Sequence, residues 1–267
     1  MLGGIAAIVI VVYILLGISV DLLVPRISPD MEARFSGYFS SMRPVGDVKN
    51  GESGALQGLA DKIQAQCVDL PYQLDVEVVD NDMVNALALP GGNIVIFSGL
   101  LDAAGSENEL AFVLAHEMGH FVNRDHLTGL GRGLVLMTMS AALFGGDSVI
   151  GQRLGYLMQV SELGFSRQHE SGADAYALAT MNCYYGHVAG STSFFEHTAD
   201  MEQGRFAGHY LSSHPLHEQR VASLKTRAAE QEFRVVGGLN PVGPFKPASK
   251  ESRAEIKQTK GSISENN

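Results

Sequence analysis

The chain has 267 residues, 45% of them hydrophobic, which allows one sizeable core with accessory helices rather than several independent domains. Its formal charge of -10 and the lack of any Lys/Arg-rich run leave no electrostatic footprint for nucleic acid, which is not an expected partner. Two cysteines, Cys67 and Cys183, are too few for a disulfide framework or a Cys-based zinc site, and buried unpaired thiols are the expectation for both.

Residues 1–20 carry no charged side chain. Twenty helical residues reach about 30 Å, the thickness of a bilayer's hydrocarbon core, so the segment predicts a transmembrane helix with membrane lipid as its partner. It has no basic residue ahead of it and no small-x-small site before Asp21, which favours an uncleaved anchor over a signal peptide. Arg26, Arg34 and Arg43 follow the span and lean toward a cytoplasmic C-terminal side, but Asp30 and Glu32 among them leave the side unassigned.

Ser28-Pro29 with Asp30 and Glu32 reads as a helix start, and the helix should run to about Met42. A second amphipathic helix is predicted over residues 55–66, with Leu56, Leu59, Ile63 and Cys67 at helical spacing. Residues 74–79 alternate and residues 93–97 are β-branched after Pro90-Gly91-Gly92, so both are predicted strands of a small sheet. Ser106-Glu107-Asn108-Glu109 is a capping box ahead of an apolar run. Residues 134–144 are apolar but too short for a confident second span, and they read as a buried or membrane-apposed helix. Further helices are expected over residues 151–181, 191–201 and 216–231. From Gly237 the chain has few large apolar residues and is expected to be disordered. The layout is an anchor over 1–22, one mainly helical α+β domain with a small β-sheet over 23–236, and a tail over 237–267.

His116-Glu117-Met118-Gly119-His120 places two imidazoles four residues apart, on one face of a helix, where both can bind one zinc. Glu117, beside that face, suits a general base that takes a proton from water and returns it to a leaving amine. Burying two histidines in this apolar run is costly unless a metal partners them. A catalytic zinc takes three protein ligands, and Glu170 is the best third candidate, ahead of Glu162, His126 and His169. Asp174, one turn on, could accept the free N–H of an imidazole ligand. His214 and Arg220 are candidate donors to an oxyanion; capping of the last helix and a salt bridge are their bland alternatives.

Taken with Asn85 to Gly92, Glu170-x-x-Ala173-Asp174, and Ser213-His214-Pro215 with Arg220, the histidine motif resembles the M48 family of zinc metalloproteases over about residues 47–227. That family includes CAAX-prenyl proteases and bacterial membrane quality-control proteases. The resemblance implies a gluzincin-like fold, one Zn2+ per chain, and polypeptide substrates paired as an extra strand along Asn93, Ile94 and Val95, or along Asn85 and Ala86. It implies an endopeptidase that cuts membrane-associated or misfolded proteins through a zinc-activated water. The alternative is a chaperone-like module with a latent zinc site.

Overall fold

A computed structural model describes residues 2–39, 44, 46–145, 167–196, 214 and 218–246. The first helix, α1 (Leu2–Leu23), runs through a short 3-10 turn, Val24–Arg26, into α2 (Pro29–Phe39). Within this stretch, Ala7–Arg26 is long and apolar enough to cross a membrane. It is a candidate anchor and lies almost wholly outside the buried core.

Helix α3 (Asn50–Cys67) buries Leu56, Leu59, Ala60 and Ile63 against a three-stranded sheet of β1 (Asp75–Val79), β2 (Ala86–Leu89) and β3 (Asn93–Phe97). The strand order is β1-β3-β2, with β1 and β3 parallel and β2 antiparallel to β3. Outer β1 is blunted by α3: Gln57 Oε1 and Ser53 Oγ accept from the Val76 and Val78 amides at 2.7 and 2.8 Å. Residues 93–95 were one of the two expected substrate strands, and here the expectation is corrected. β3 is central and hydrogen-bonds to strands on both sides, so no backbone edge is left for a peptide. Strand β2, which holds Ala86 and follows Asn85, has β3 as its one strand partner among the described residues. The β2–β3 turn needs glycine at Gly92: φ is +84°, and a Cβ there would meet the Gln73 carbonyl oxygen at 2.7 Å.

After the short helix α4 (Ser98–Ala103), Ser106 caps α5 (Glu107–Asn123), accepting from the Glu109 amide at 3.3 Å while Glu109 accepts from the Gly105 amide at 3.0 Å. Helix α5 is buried on every side from Asn108 to Phe121, which suits the apolar run around the two histidines. Arg124, left-handed at φ 61°, ends α5, and α6 (Asp125–Phe144) starts at the next residue. The apolar run over 134–144 is thus the second half of α6, and α6 packs along α1, where Arg132 pairs with Asp21 at 2.8 Å.

Helix α7 (Arg167–Tyr185) makes the most extensive helix contact with α5, and α8 (Glu218–Glu230) packs on α7. Parts of the helices expected over 151–181, 191–201 and 216–231 fall outside the described residues. Two further expectations are corrected. Cys67 and Cys183 form a disulfide that closes α3 onto α7, because the packing brings their Cα atoms to 5.9 Å. Residues 237–246, expected to be disordered, lie on the domain: the Asn240 carbonyl accepts from the Glu107 amide at 3.0 Å, and Phe245 is buried in the core. One aromatic anchor and a helix-capping contact are enough to hold a stretch whose composition is otherwise polar.

Candidate metal centre

The close approach of α5 and α7 builds the site. A Cβ on Gly119 would lie 2.9 Å from the Ala173 Cα, so only glycine lets the two backbones meet there. That contact sets Glu170, one turn before Asp174, opposite His116 and His120. All three are buried, as are Glu117 and His214.

Four ligand atoms converge. His116 Nε2 and His120 Nε2 are 3.1 Å apart, and each lies 3.5 Å from a Glu170 carboxylate oxygen. His214 Nδ1 lies 3.3 Å from His116 Nε2 and 3.0 Å from Glu170 Oε1. A tetrahedral zinc with bonds of about 2.0–2.2 Å separates its ligand atoms by roughly 3.3–3.6 Å, so the set has the size of a zinc site. The tautomers fit as well. The His116 Nδ1–H donates to Asp174 Oδ1 at 3.0 Å and the His120 Nδ1–H to Asp125 Oδ2 at 3.0 Å, which turns both Nε2 lone pairs inward.

The surroundings are anionic. Burial pulls the His120 imidazole toward neutrality, but its bond to Asp125, together with Glu170 and Glu117, reverses this and raises it to about 9. His116 is likewise raised: burial opposes its proton, and Glu170 and Asp174 outweigh that. His214 is lowered, chiefly by burial, with Glu170 opposing. Burial pushes Glu170 upward, yet His214, His116 and His120 hold it far below the ordinary carboxylate range. Such a pocket favours positive charge between the two Nε2 atoms, which a divalent cation supplies. The carboxylate oxygens of Glu117 have no hydrogen-bond partner among the described residues, and Oε1 lies 3.6 Å from His214 Nε2.

Arg220, read as an oxyanion donor or a salt bridge, has its guanidinium on carboxylates. Nε and the second terminal nitrogen donate to the two oxygens of Asp174 at 2.6 and 2.8 Å, and the other terminal nitrogen reaches Glu170 Oε2 at 2.7 Å. It sits 4.7 Å above the Phe195 ring. Arg220 therefore braces Asp174 and Glu170 from α8. Asp174 is held low: burial raises it, and Arg220, then His116, outweigh that.

Among the rival ligands, His126 turns away to Glu32 at 2.9 Å, His169 approaches Asp125 at 3.5 Å outside the set, and Glu162 lies outside the described residues. Sequence reasoning missed Asp125 and Phe195. Asp125 follows α5 across the left-handed break at Arg124, where helical spacing gives no guide.

Residues 53–228 match peptidase family M48. The beta-barrel assembly-enhancing protease of Escherichia coli is 29% identical over 188 residues, covering 64% of this chain and 37% of that protein. The mitochondrial metalloendopeptidase OMA1 of Danio rerio is 32% identical over 167 residues, 56% of this chain and 34% of the relative. The metalloprotease LoiP of Escherichia coli is 32% identical over 151 residues, 54% of this chain and 58% of the relative. The chain thus spans little more than a third of the length of the first of these relatives.

Proposed function

The chain belongs to peptidase family M48, and from that premise we propose that it is a zinc-dependent endopeptidase, anchored in a membrane through α1, that cuts membrane-associated or misfolded polypeptides. The observation that carries the reading is the convergence of His116, His120 and Glu170, with His214 close by and with Glu117 buried beside them without a hydrogen-bond partner among the described residues. These three residues would hold the metal, and zinc there supplies Lewis acidity and lowers the pKa of water. Glu117 would accept the proton and return it to the leaving amine. Asp174 and Asp125 fix the ligand tautomers, Arg220 fixes Asp174 and Glu170, and edge strand β2 would receive the extended substrate. The relatives' names as protease and metalloendopeptidase support this reading.

The disulfide bears on location. Structural disulfides persist in oxidising compartments, which supports a reading with the domain on the non-cytosolic side, against the lean of Arg26, Arg34 and Arg43.

A second reading concerns the resting state. His214 Nδ1 lies 3.3 Å from His116 Nε2 and 3.0 Å from Glu170 Oε1, and this closeness supports a latent form in which His214 would compete with water for the metal. The test is cleavage of an unfolded protein such as casein by zinc-loaded chain, with and without chelator, for wild type, Glu117→Gln and His214→Ala. Chelator-sensitive cleavage lost in Glu117→Gln and increased in His214→Ala is expected. Cleavage indifferent to chelator sinks the peptidase reading, and cleavage lost in His214→Ala sinks the latent one.

A further inference from the structure

The segment leaving α1 is bonded into the scaffold of the metal centre through Arg124 and His126, which flank Asp125 at the α5–α6 break. The Arg124 guanidinium donates to the carbonyl oxygens of Val24, at 3.0 Å, and of Ile27. Asp125 holds His120, as described above. His126 Nε2 lies 2.9 Å from Glu32 Oε1 on α2, and its Nδ1 lies 3.2 Å from the His120 carbonyl oxygen. The same Glu32 oxygen accepts from the Gly91 amide at 2.9 Å, across 59 residues of sequence. Gly91, at φ +87°, belongs to the turn that joins edge strand β2 to β3.

Apolar packing is incomplete here: a cleft of about 260 Å³ is lined by Val20, Leu23 and Ile27 from the segment and by Leu127 and Leu130 from α6. Glu32 is 2% exposed, and its Oε2 has no hydrogen-bond partner among the described residues. A buried carboxylate paired with histidine is at best neutral for stability beside apolar residues of the same volume. The geometry of Glu32 instead ties three things together: the segment after α1, the turn of the edge strand, and the helix end that carries His120.

We infer that Glu32 is a positioning residue for substrate: from the segment after α1 it fixes the β2–β3 turn, and through His126 it sets that edge against the metal helix. This rests on the peptidase reading of the site. The junction between anchor and domain is then part of the substrate-binding apparatus, and polypeptide is held at a fixed position relative to α1.

The test uses full-length, zinc-loaded protein in detergent, with a fluorescent peptide long enough to pair along residues 86–89. Its affinity is read in the Glu117→Gln background and its kcat and KM in the active chain, beside zinc content and thermal midpoint. Glu32→Ala is expected to weaken affinity and raise KM about tenfold, the scale of one lost bond to a charged group, with kcat within about twofold and full zinc. Glu32→Gln, whose amide oxygen still accepts from Gly91, should recover most of the loss. Should Glu32→Ala not fold, Glu32→Asp keeps the charge but falls short of the turn, and it should raise KM in the same sense. A folded Glu32→Ala chain with wild-type KM overturns the inference, even if its thermal midpoint drops, and so does a loss that Glu32→Gln fails to rescue. A wild-type chain that binds peptide without cutting it defeats the peptidase reading alone, whereas one that neither binds nor cuts defeats both.

Discussion

Replacing Asp125 with alanine removes the acceptor that fixes His120, a residue with no part in the sequence motif. The bond is 3.0 Å long, with the His120 side chain 0% and the Asp125 side chain 4% exposed, so water cannot take over. A buried hydrogen bond to a charged group is worth about 1.5–3 kcal/mol, and at about 1.4 kcal/mol per factor of ten this predicts roughly 10 to 150-fold weaker zinc binding. That range overlaps the roughly 10 to 100-fold losses seen when groups behind a metal-bound histidine are removed. Asp125→Asn keeps an acceptor oxygen but loses the charge, and should fall near the lower end. The assay is competition for zinc with a chelator of known affinity, run beside circular dichroism to show that the fold persists. A folded Asp125→Ala chain with wild-type zinc affinity would refute the reasoning, because the imidazole would then need no outer partner.

Glu170→Ala should lose most of its zinc, whereas Asp174→Asn should only weaken it, since the first touches the metal position and the second acts through His116; elemental analysis of both proteins would show an exchanged order if the roles were reversed. Cys67→Ser opens a cross-link spanning 116 residues, and the chain-entropy scale of about 4–5 kcal/mol predicts a fall in thermal midpoint on the order of 10 °C, which an unchanged melting curve would contradict. In zinc-free protein the His120 imidazole is raised to about 9, so its proton stabilises the fold fully below its unfolded pKa of about 6.5, and that contribution is lost as pH rises through about 9. Melting of the zinc-free chain should therefore drop across that window, and a flat profile would count against the anionic pocket.

Much of the site was legible because helical spacing is short-range. His116, Glu117 and His120 share one turn and a half of α5, and Glu170 and Asp174 share one turn of α7, so each group follows from the 3.6-residue period. What escaped depends on the meeting of distant segments. Asp125 lies past a left-handed residue, the pairing of Cys67 with Cys183 depends on α3 packing against α7, and β3 proved central only because β1 pairs with it in parallel across an intervening hairpin strand. Residues 237–246 were misjudged for a related reason, while 247–267 lie outside the described residues: composition averages over Asn240 and Phe245, and those two residues hold the described stretch.

The charges at the centre give a common account of residues that otherwise look redundant. Glu117, Glu170, Asp174 and Asp125 bring four carboxylates around the three imidazoles of His116, His120 and His214, and Arg220 offsets only part of that. Without a cation the pocket must draw protons onto His116 and His120, as their raised pKa values indicate. The Arg220 guanidinium is bonded to Asp174 and Glu170, and one terminal nitrogen also lies 3.3 Å from His116 Nε2, so it supplies part of the positive charge at the edge of the ligand set. Its contribution is to keep two like-charged carboxylates one helical turn apart on α7, where each alone would favour protonation on burial. The close contact of Gly119 with Ala173 then becomes an electrostatic requirement as much as a steric one. A larger residue at either position would move Glu170 away from the imidazoles while leaving it buried, so the pocket would keep the cost of its charge and lose the geometry that binds the metal.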